Sequence, residues 1–294
     1  MSVRIGARVP NAGPLPARYG IPALARAAEG AGFESLWVSD HVVMPESFES
    51  RYPFAADGRA TWPSETPYFD ALIALALIAA VTERATLGTA VLVLPLRHPI
   101  IVAKQLASID ASSGGRLRLG VGAGWLREEF DALGVPFDDR GSRLVEWLHL
   151  LRSCWTGTPA AHVGAHYSLP EGVLFYPTPL HEIPVLIGGH SRAALRRAGR
   201  YADGWLAQQS LDRIDVDELE AAVDLMRDAA GEAGRDPGAL EVVLRIVDSA
   251  GRSDDVAEQL PAMARAGVGE VIVDVAWSDD HAAADYARMT AAAG

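Results

Sequence analysis

Short apolar runs alternate with longer amphipathic stretches along the whole chain, regularly enough to assign elements from the pattern. Val3–Val9 alternates and stops at Pro10-Asn11, which predicts a strand; Tyr19–Gly30 then repeats apolar residues at helical spacing and ends on a glycine, which predicts a helix. The pair recurs. Ser35–Val38 (SLWV) is the second strand, and its helix is Ala71–Val81, capped by Asp70. Ala85–Leu94 is the third strand, closed by Pro95, and its helix is Ile100–Ile109. The fourth strand lies in GGRLRLGVGAGWLREEF, Gly114–Phe130, and leads into a short acidic helix and then Ser142–Trp155, where Leu144, Leu148 and Leu151 share a face. Pro184–Ile187 with Arg192–Tyr201, Gly204–Ala207 with Asp215–Glu232, Glu241–Val247 with Asp255–Ala266, and Glu270–Val275 with Asp279–Ala292 complete the series. Capping boxes, Asp215 to Glu218 and Asp255 to Glu258, mark two of the helix starts.

Eight strand-then-helix units with no surplus strand and no break in composition predict one (β/α)8 TIM barrel over residues 1–294. A doubly wound open sheet is the alternative, but it seldom runs through eight consecutive units without a reversal. Two connections are unusually long. Val42–Phe69 is rich in proline, glycine and aromatic residues, and Thr156–Glu182 sets His166, Tyr167, Phe175 and Tyr176 among prolines and is expected to fold back as a hairpin. Loops of this length usually serve a function, and both are expected as lids at the C-terminal face of the strands. In a barrel the residues just past each strand converge on one mouth. That collects Asn11, Asp40, His41, Ala90, Val91, Gly122–Trp125, Gly188–Ser191, Gln208, Gln209 and Asp248.

Composition narrows the partners. The chain has 294 residues, 49% of them hydrophobic, which suits a barrel with two insertions. Its 38 acidic against 26 basic residues give a net charge of −12 with no basic run, which argues against nucleic acid and anionic membrane as partners. Cys154, the single cysteine, lies in the apolar stretch LLRSCW and reads as a buried thiol, so no internal disulfide forms. With no apolar run of spanning length and no targeting pattern in MSVRIGARVP, a cytoplasmic protein is expected. Lys104, the single lysine, sits inside a helix and is the one candidate for Schiff-base chemistry.

The chemistry is expected at the mouth. Glycine weakens a strand, so Gly120, Gly122 and Gly124 at alternate positions point either to a bound group or close backbone approach, or to a bulged core strand with a tight exit. GVGAGW is not the dinucleotide fingerprint, because the third glycine is missing at the required offset. IGGHS, Ile187–Ser191, places two glycines and a serine where a strand becomes a helix; backbone N–H groups there suit a phosphate, or Ser191 is simply the helix N-cap. Asp40-His41 offers a carboxylate and an imidazole for orienting a ring and moving a proton, although Asp40 also suits a purely structural hydrogen-bonding role. No metal site is expected, since neither H-x-H nor H-E-x-x-H occurs and His162 and His166 both fall in a loop. A glycosidase, with Glu128 or Glu129 facing Asp248, stays as a competitor.

LGTAVLVLPLRHPIIVAKQLASIDASSGGRLRLGVGAGWLREEFDALGVPFDDRG, Leu87–Gly141, together with SLWVSDH and PVLIGGHS, resembles the luciferase-like flavin and deazaflavin oxidoreductases, most closely the actinobacterial branch that uses coenzyme F420. The resemblance spans most of the chain. It implies a ring laid across the mouth, Ala90-Val91 as a supporting bulge that in such proteins often contains a non-prolyl cis peptide, and Asp40 and His41 beside the reactive edge. It further implies Gly122, Ala123 and Gly124 against the ring or tail, Ile187, Gly188, Gly189, His190 and Ser191 around the phosphate, and a homodimer, for which Ala71–Val81 is a reasonable surface. One departure stands out: Trp125 occupies the place where similar sugar-phosphate dehydrogenases carry an acid. That disfavours sugar-phosphate oxidation and suggests an apolar or aromatic substrate wall, or a packing residue at the strand exit. The expected activity is hydride exchange between F420 and a small organic substrate. An FMN-dependent monooxygenase and a cofactor-binding barrel without catalysis are the alternatives.

Overall fold

The computed structural model describes residues 3–55, 57–60, 62–277 and 281–293. Its strands in chain order are β1 (Arg4–Arg8), β2 (Ser35–Val38), β3 (Thr86–Thr89), β4 (Leu92–Val93), β5 (Leu117–Gly122), β6 (His162–Val163), β7 (Ser168–Leu169), β8 (Val185–Gly188), β9 (Gly204–Ser210), β10 (Glu241–Val247) and β11 (Glu270–Asp274). One parallel sheet runs β3-β2-β1-β11-β10-β9-β8-β5-β4, and β3 also pairs with β5, so the sheet closes. With β3 and β4 as two pieces of one stave, this is an eight-stave TIM barrel.

Both faces of the staves are buried, as parallel strands under a helical shell require. Side chains alternate between the two. On β2 the Trp37 indole points inward to Leu186, Leu206, Val243 and Ile272, while Leu36 and Val38 join the core shared with the helices. At the N-terminal end the interior is polar and closed. Arg118 bonds Glu270 and Glu241, Arg4 meets Glu270 at 2.8 Å, and Glu270 accepts from Ser35 Oγ at 2.6 Å and Trp37 Nε1 at 3.1 Å.

The helices are α1 (Pro14–Tyr19), α2 (Ile21–Ala31), α3 (Ala71–Ala79), α4 (Pro99–Ser113), α5 (Arg127–Ala132), α6 (Arg140–Trp155), α7 (Arg192–Tyr201), α8 (Val216–Glu232), α9 (Ser253–Arg265) and α10 (His281–Ala293). Several bounds differ from the sequence reading, each for a local reason. The helix expected over Tyr19–Gly30 is α2, which starts only at Ile21 because Gly20, with a positive φ of 78°, separates it from the short helix α1 that ends at Tyr19. The sixth stave runs on to Ser210 because β9 pairs with β10 along its whole length, Gly204–Ser210 against Glu241–Val247. Asp215 does cap α8, accepting from Glu218 N at 2.9 Å, but its own N–H donates to Gln209 Oε1 rather than to Glu218, so the box is half made. The second box does not form, since α9 starts at Ser253 and Asp255 lies in its first turn. The start expected for the last helix, Asp279, lies outside the described residues.

Thr156–Glu182 does contain a hairpin, β6 against β7, but it packs on the outside of the barrel rather than over the mouth. Glu146 of α6 explains this placement: it accepts from His166 N and Tyr167 N at 2.9 Å each and meets His162 Nε2 at 2.9 Å. No helix among the described residues is long and apolar enough to cross a membrane.

Candidate active site

The C-terminal ends of the staves open into a cavity of about 990 Å³. Asp40, His41, Ala90, Val91, Gly122, Ala123, Gly124, Trp125, Gly188, Gly189, His190, Ser191, Gln208 and Asp248 all line it. Three residues expected there do not. Asn11 is buried and ties the chain together, its Nδ2 donating to Ser39 O at 2.8 Å and Phe69 O at 2.9 Å. The Ile187 side chain is in the core, and the Gln209 amide turns to Asp215 and Glu218 at the head of α8.

The third stave breaks at the mouth. Gly88 pairs with Arg118 and Leu92 with Val121, so four steps on one strand oppose three on the other and one extra residue bulges out. The Ala90–Val91 peptide there is cis. Val91 lies across the barrel top: a Cβ added at Gly122 would sit 2.8 Å from one Val91 methyl, and one at Gly188 would sit 2.8 Å from the other. Glycine at these two strand ends therefore lets the bulge settle into the mouth. Gly120 serves a different purpose, since a Cβ there would lie 2.0 Å from Thr89 O. It allows close backbone packing below the cavity.

Asp40 secures the far side of the bulge. Its Oδ2 accepts from Val93 N at 2.9 Å and Arg97 Nη1 at 2.7 Å, and its Oδ1 accepts from Arg97 Nη2 at 2.7 Å. Burial pushes its carboxyl above the ordinary value, with Arg97 pulling the other way. Both oxygens are engaged, which makes Asp40 a positioning group for β4.

His41 is held differently. Its Nδ1 lies 3.0 Å from Glu129 Oε2, and the other Glu129 oxygen accepts from Val42 N at 2.6 Å and Val43 N at 3.3 Å. Neither Glu128 nor Glu129 lines the cavity, so the facing pair of carboxylates that a glycosidase needs is not assembled with Asp248. Rings surround the imidazole, with centroids of Tyr68 at 5.4 Å and of Trp62 and Trp125 at 6.0 Å. Tyr52 joins them, 5.1 Å from Trp62 and 5.2 Å from Trp125, and its hydroxyl accepts from Gln208 Nε2 at 3.0 Å. Burial raises the Tyr52 phenol and pushes that of Tyr68 up to about 12, so both stay protonated. The Trp62 Nε1–H is buried with no partner among the described residues.

At the opposite end Ser191 caps α7, its Oγ accepting from Ala194 N at 3.2 Å, and Gly189 has a φ of 109°. His190 accepts from Gln208 N at 3.0 Å through Nε2, and burial lowers its pKa. Beside this turn stand Arg140 and Arg197. Arg140 lies 3.7 Å above the Phe137 ring and donates only to carbonyls, those of Gly124 and Phe137. Arg197 Nε is buried with no partner, and burial, then the charge of Arg140, lower its pKa. Neither guanidinium pairs with a carboxylate among the described residues. Two cations beside a helix start and two glycines are an arrangement able to hold an anion.

Sequence reasoning missed these arginines and, of the aromatic group, singled out only Trp125. Arg140 falls in FDDRG, within the stretch that carried the resemblance, but nothing in the periodicity marks Arg197, on a helix face, or Trp62, within a long loop.

The family model for luciferase-like monooxygenases matches residues 4–294. An uncharacterized protein of Mycobacterium tuberculosis is 39% identical over 209 residues, 71% of this chain and 72% of its own length. An F420-dependent glucose-6-phosphate dehydrogenase of Nakamurella multipartita is 32% identical over 228 residues, 76% of this chain and 61% of its own length. Among solved structures, an F420-dependent secondary alcohol dehydrogenase in complex with an F420–acetone adduct superposes with a TM-score of 0.78 at 19% identity, covering 100% of both chains. The oxygenating constituent of 3,6-diketocamphane monooxygenase from Pseudomonas putida, in complex with FMN, gives 0.74 at 17% identity, covering 99% of this chain and 97% of its own. At those identities the two structures speak for the barrel alone.

Proposed function

The chain belongs to the luciferase-like monooxygenase family, and from that premise we propose that it is an oxidoreductase that binds coenzyme F420 across the barrel mouth and acts on a small organic substrate. The observation that carries this reading is the polarity of the cavity: a glycine turn with two arginines that meet no carboxylate among the described residues at one end, and a ring of aromatic side chains around one histidine at the other.

The residues present fit such a group. Gly188, Gly189, Ser191, Arg140 and Arg197 would hold a phosphate, and the buried, unpartnered Arg197 Nε is the atom that most calls for one. Ala90-Val91 and Gly122–Gly124 would support the ring. When bound, the coenzyme would supply a site that gives or accepts a hydride. His41 then holds or moves a proton at Nε2, and Asp40, through Val93 and Arg97, keeps the bulge in place. Tyr52, Trp62 and Trp125 exclude water and offer flat apolar walls. Trp125 has no proton to exchange as an acid would, which favours a substrate less polar than a sugar phosphate. Only the first long connection contributes, through Tyr52, Phe54, Trp62 and Tyr68, so Val42–Phe69 sets specificity.

The chain also pairs as a homodimer in the cytoplasm. Its α3 is apolar around its whole circumference, yet Ile73 is 61% exposed, and Ile101 of the neighbouring helix α4 is 59% exposed. Such a helix needs a cover. Sedimentation equilibrium should return a dimer for the natural protein and a monomer for Ile73→Glu.

The deciding experiment is equilibrium titration with F420 and FMN in parallel, followed by quenching of tryptophan fluorescence. Tighter binding of F420 is expected. Preference for FMN would move the protein to the oxygen-using reading, and binding of neither would end both.

A further inference from the structure

We infer that Glu129 is a positioning residue that fixes His41 as the tautomer protonated on Nδ1 and ties it to the root of the loop over the cavity. Its catalytic meaning rests on the oxidoreductase reading; its geometry does not.

Glu129 lies in the short helix α5, 1% exposed, directly behind His41. Its Oε1 accepts from two backbone amides, Val42 N at 2.6 Å and Val43 N at 3.3 Å. Those partners only donate, so that oxygen is held as an acceptor. Oε2 faces His41 Nδ1 at 3.0 Å. A carboxylate accepts and does not donate, so the proton between them belongs to Nδ1, and neutral imidazole then carries its lone pair on Nε2. His41 lines the cavity, and its Nε2 has no partner among the described residues. What the protein presents to a substrate is therefore an acceptor, able to take a proton from an O–H or N–H. The rings of Tyr68, Trp62 and Trp125 hem the imidazole in. Because one carboxylate grips both His41 and the next two residues, the imidazole and the loop root share one anchor.

Substituting Gln makes the idea testable at a single atom. In Glu129→Gln the amide oxygen stays with the Val42 and Val43 N–H groups, since the opposite orientation sets an NH₂ against two donors. The amide nitrogen then faces Nδ1 as a donor and requires a lone pair there. His41 must move its proton to Nε2, and the cavity meets a donor instead of an acceptor.

The experiment is long-range ¹H–¹⁵N correlation on ¹⁵N-histidine-labelled protein without cofactor, recorded across a pH series so that the neutral form of His41 is read directly. His41→Ala assigns the signal. We expect a protonated Nδ1 in the natural protein, a protonated Nε2 in Glu129→Gln, and Val42 and Val43 amides still protected from exchange in the variant. A natural protein protonated on Nε2, or a variant with the natural pattern, overturns the inference, and the first of these is readable even if the variant does not fold. With cofactor and substrate, kcat should fall about 10²- to 10⁴-fold with little change in KM. A swapped tautomer with unchanged kcat would overturn the positioning role. Failure to bind F420 or FMN would sink the proposed function while leaving the tautomer result intact.

Discussion

The two ends of the barrel hold arginines in opposite circumstances. At the N-terminal end Arg118 is buried between Glu270 and Glu241, Arg4 shares Glu270, and Ser35 and Trp37 use the remaining acceptor. At the C-terminal end Arg197 Nε and Trp62 Nε1 are buried with no partner, and Arg140 leans on carbonyls and a ring. An unsatisfied buried polar group costs about 1–3 kcal/mol; Arg227 Nε on α8, away from the mouth, is also buried without a partner among the described residues, but only at the mouth do such atoms stand beside a cavity that a ligand can enter. The first end serves the fold, and the second fits the function proposed above.

Breaking the closed end should have the largest effect. Glu270→Ala leaves Arg118 and Arg4 without their shared carboxylate and should cost about 3–5 kcal/mol in urea unfolding, with the cofactor affinity of the folded protein unchanged. A loss under about 1 kcal/mol would erase the contrast. Arg197→Met tests the open end, where the same unfolding curve should show no loss while cofactor affinity drops by about 1.5–3 kcal/mol, the range for a hydrogen bond to a charged group. Equal destabilisation by the two variants would mean that both ends are structural. Trp62→Phe should have the smallest effect of the three and leave folding within about 0.5 kcal/mol, because the N–H it removes has no partner among the described residues. A substrate-dependent rise in KM is the expected trace of that N–H, and a large loss of stability would show that it is satisfied within the protein. His41→Ala sharpens the functional side of the contrast: turnover at the natural rate would remove histidine from the chemistry.

Much of this was legible before the fold was seen. Asp40 and His41 do stand at the mouth, Ala90-Val91 is a bulge with a cis peptide, and Gly188, Gly189 and Ser191 do form the turn into α7. Their uses were not legible to the same degree. Asp40 read either as a carboxylate offered to a ligand or as a structural hydrogen bonder, and the second holds, since both its oxygens are taken by Val93 and Arg97. Glu128 or Glu129 was a candidate to face Asp248 only in the competing glycosidase reading, and Glu129 is buried behind the imidazole instead. Thr156–Glu182 looked like a second lid, and Glu146 holds it to the outside.

The sequence by itself determined the elements, their order and hence the mouth, because apolar periodicity, helix caps and strand-ending turns act over a few residues and eight parallel units close in one way. Only the tertiary structure decided which side chains meet there. His41 reaches Glu129 across 88 positions and Arg97 reaches Asp40 across 57. Arg197 is brought beside Arg140 from a different helix. No local term encodes such pairings, which exist only once the barrel has closed and water has been excluded from between them.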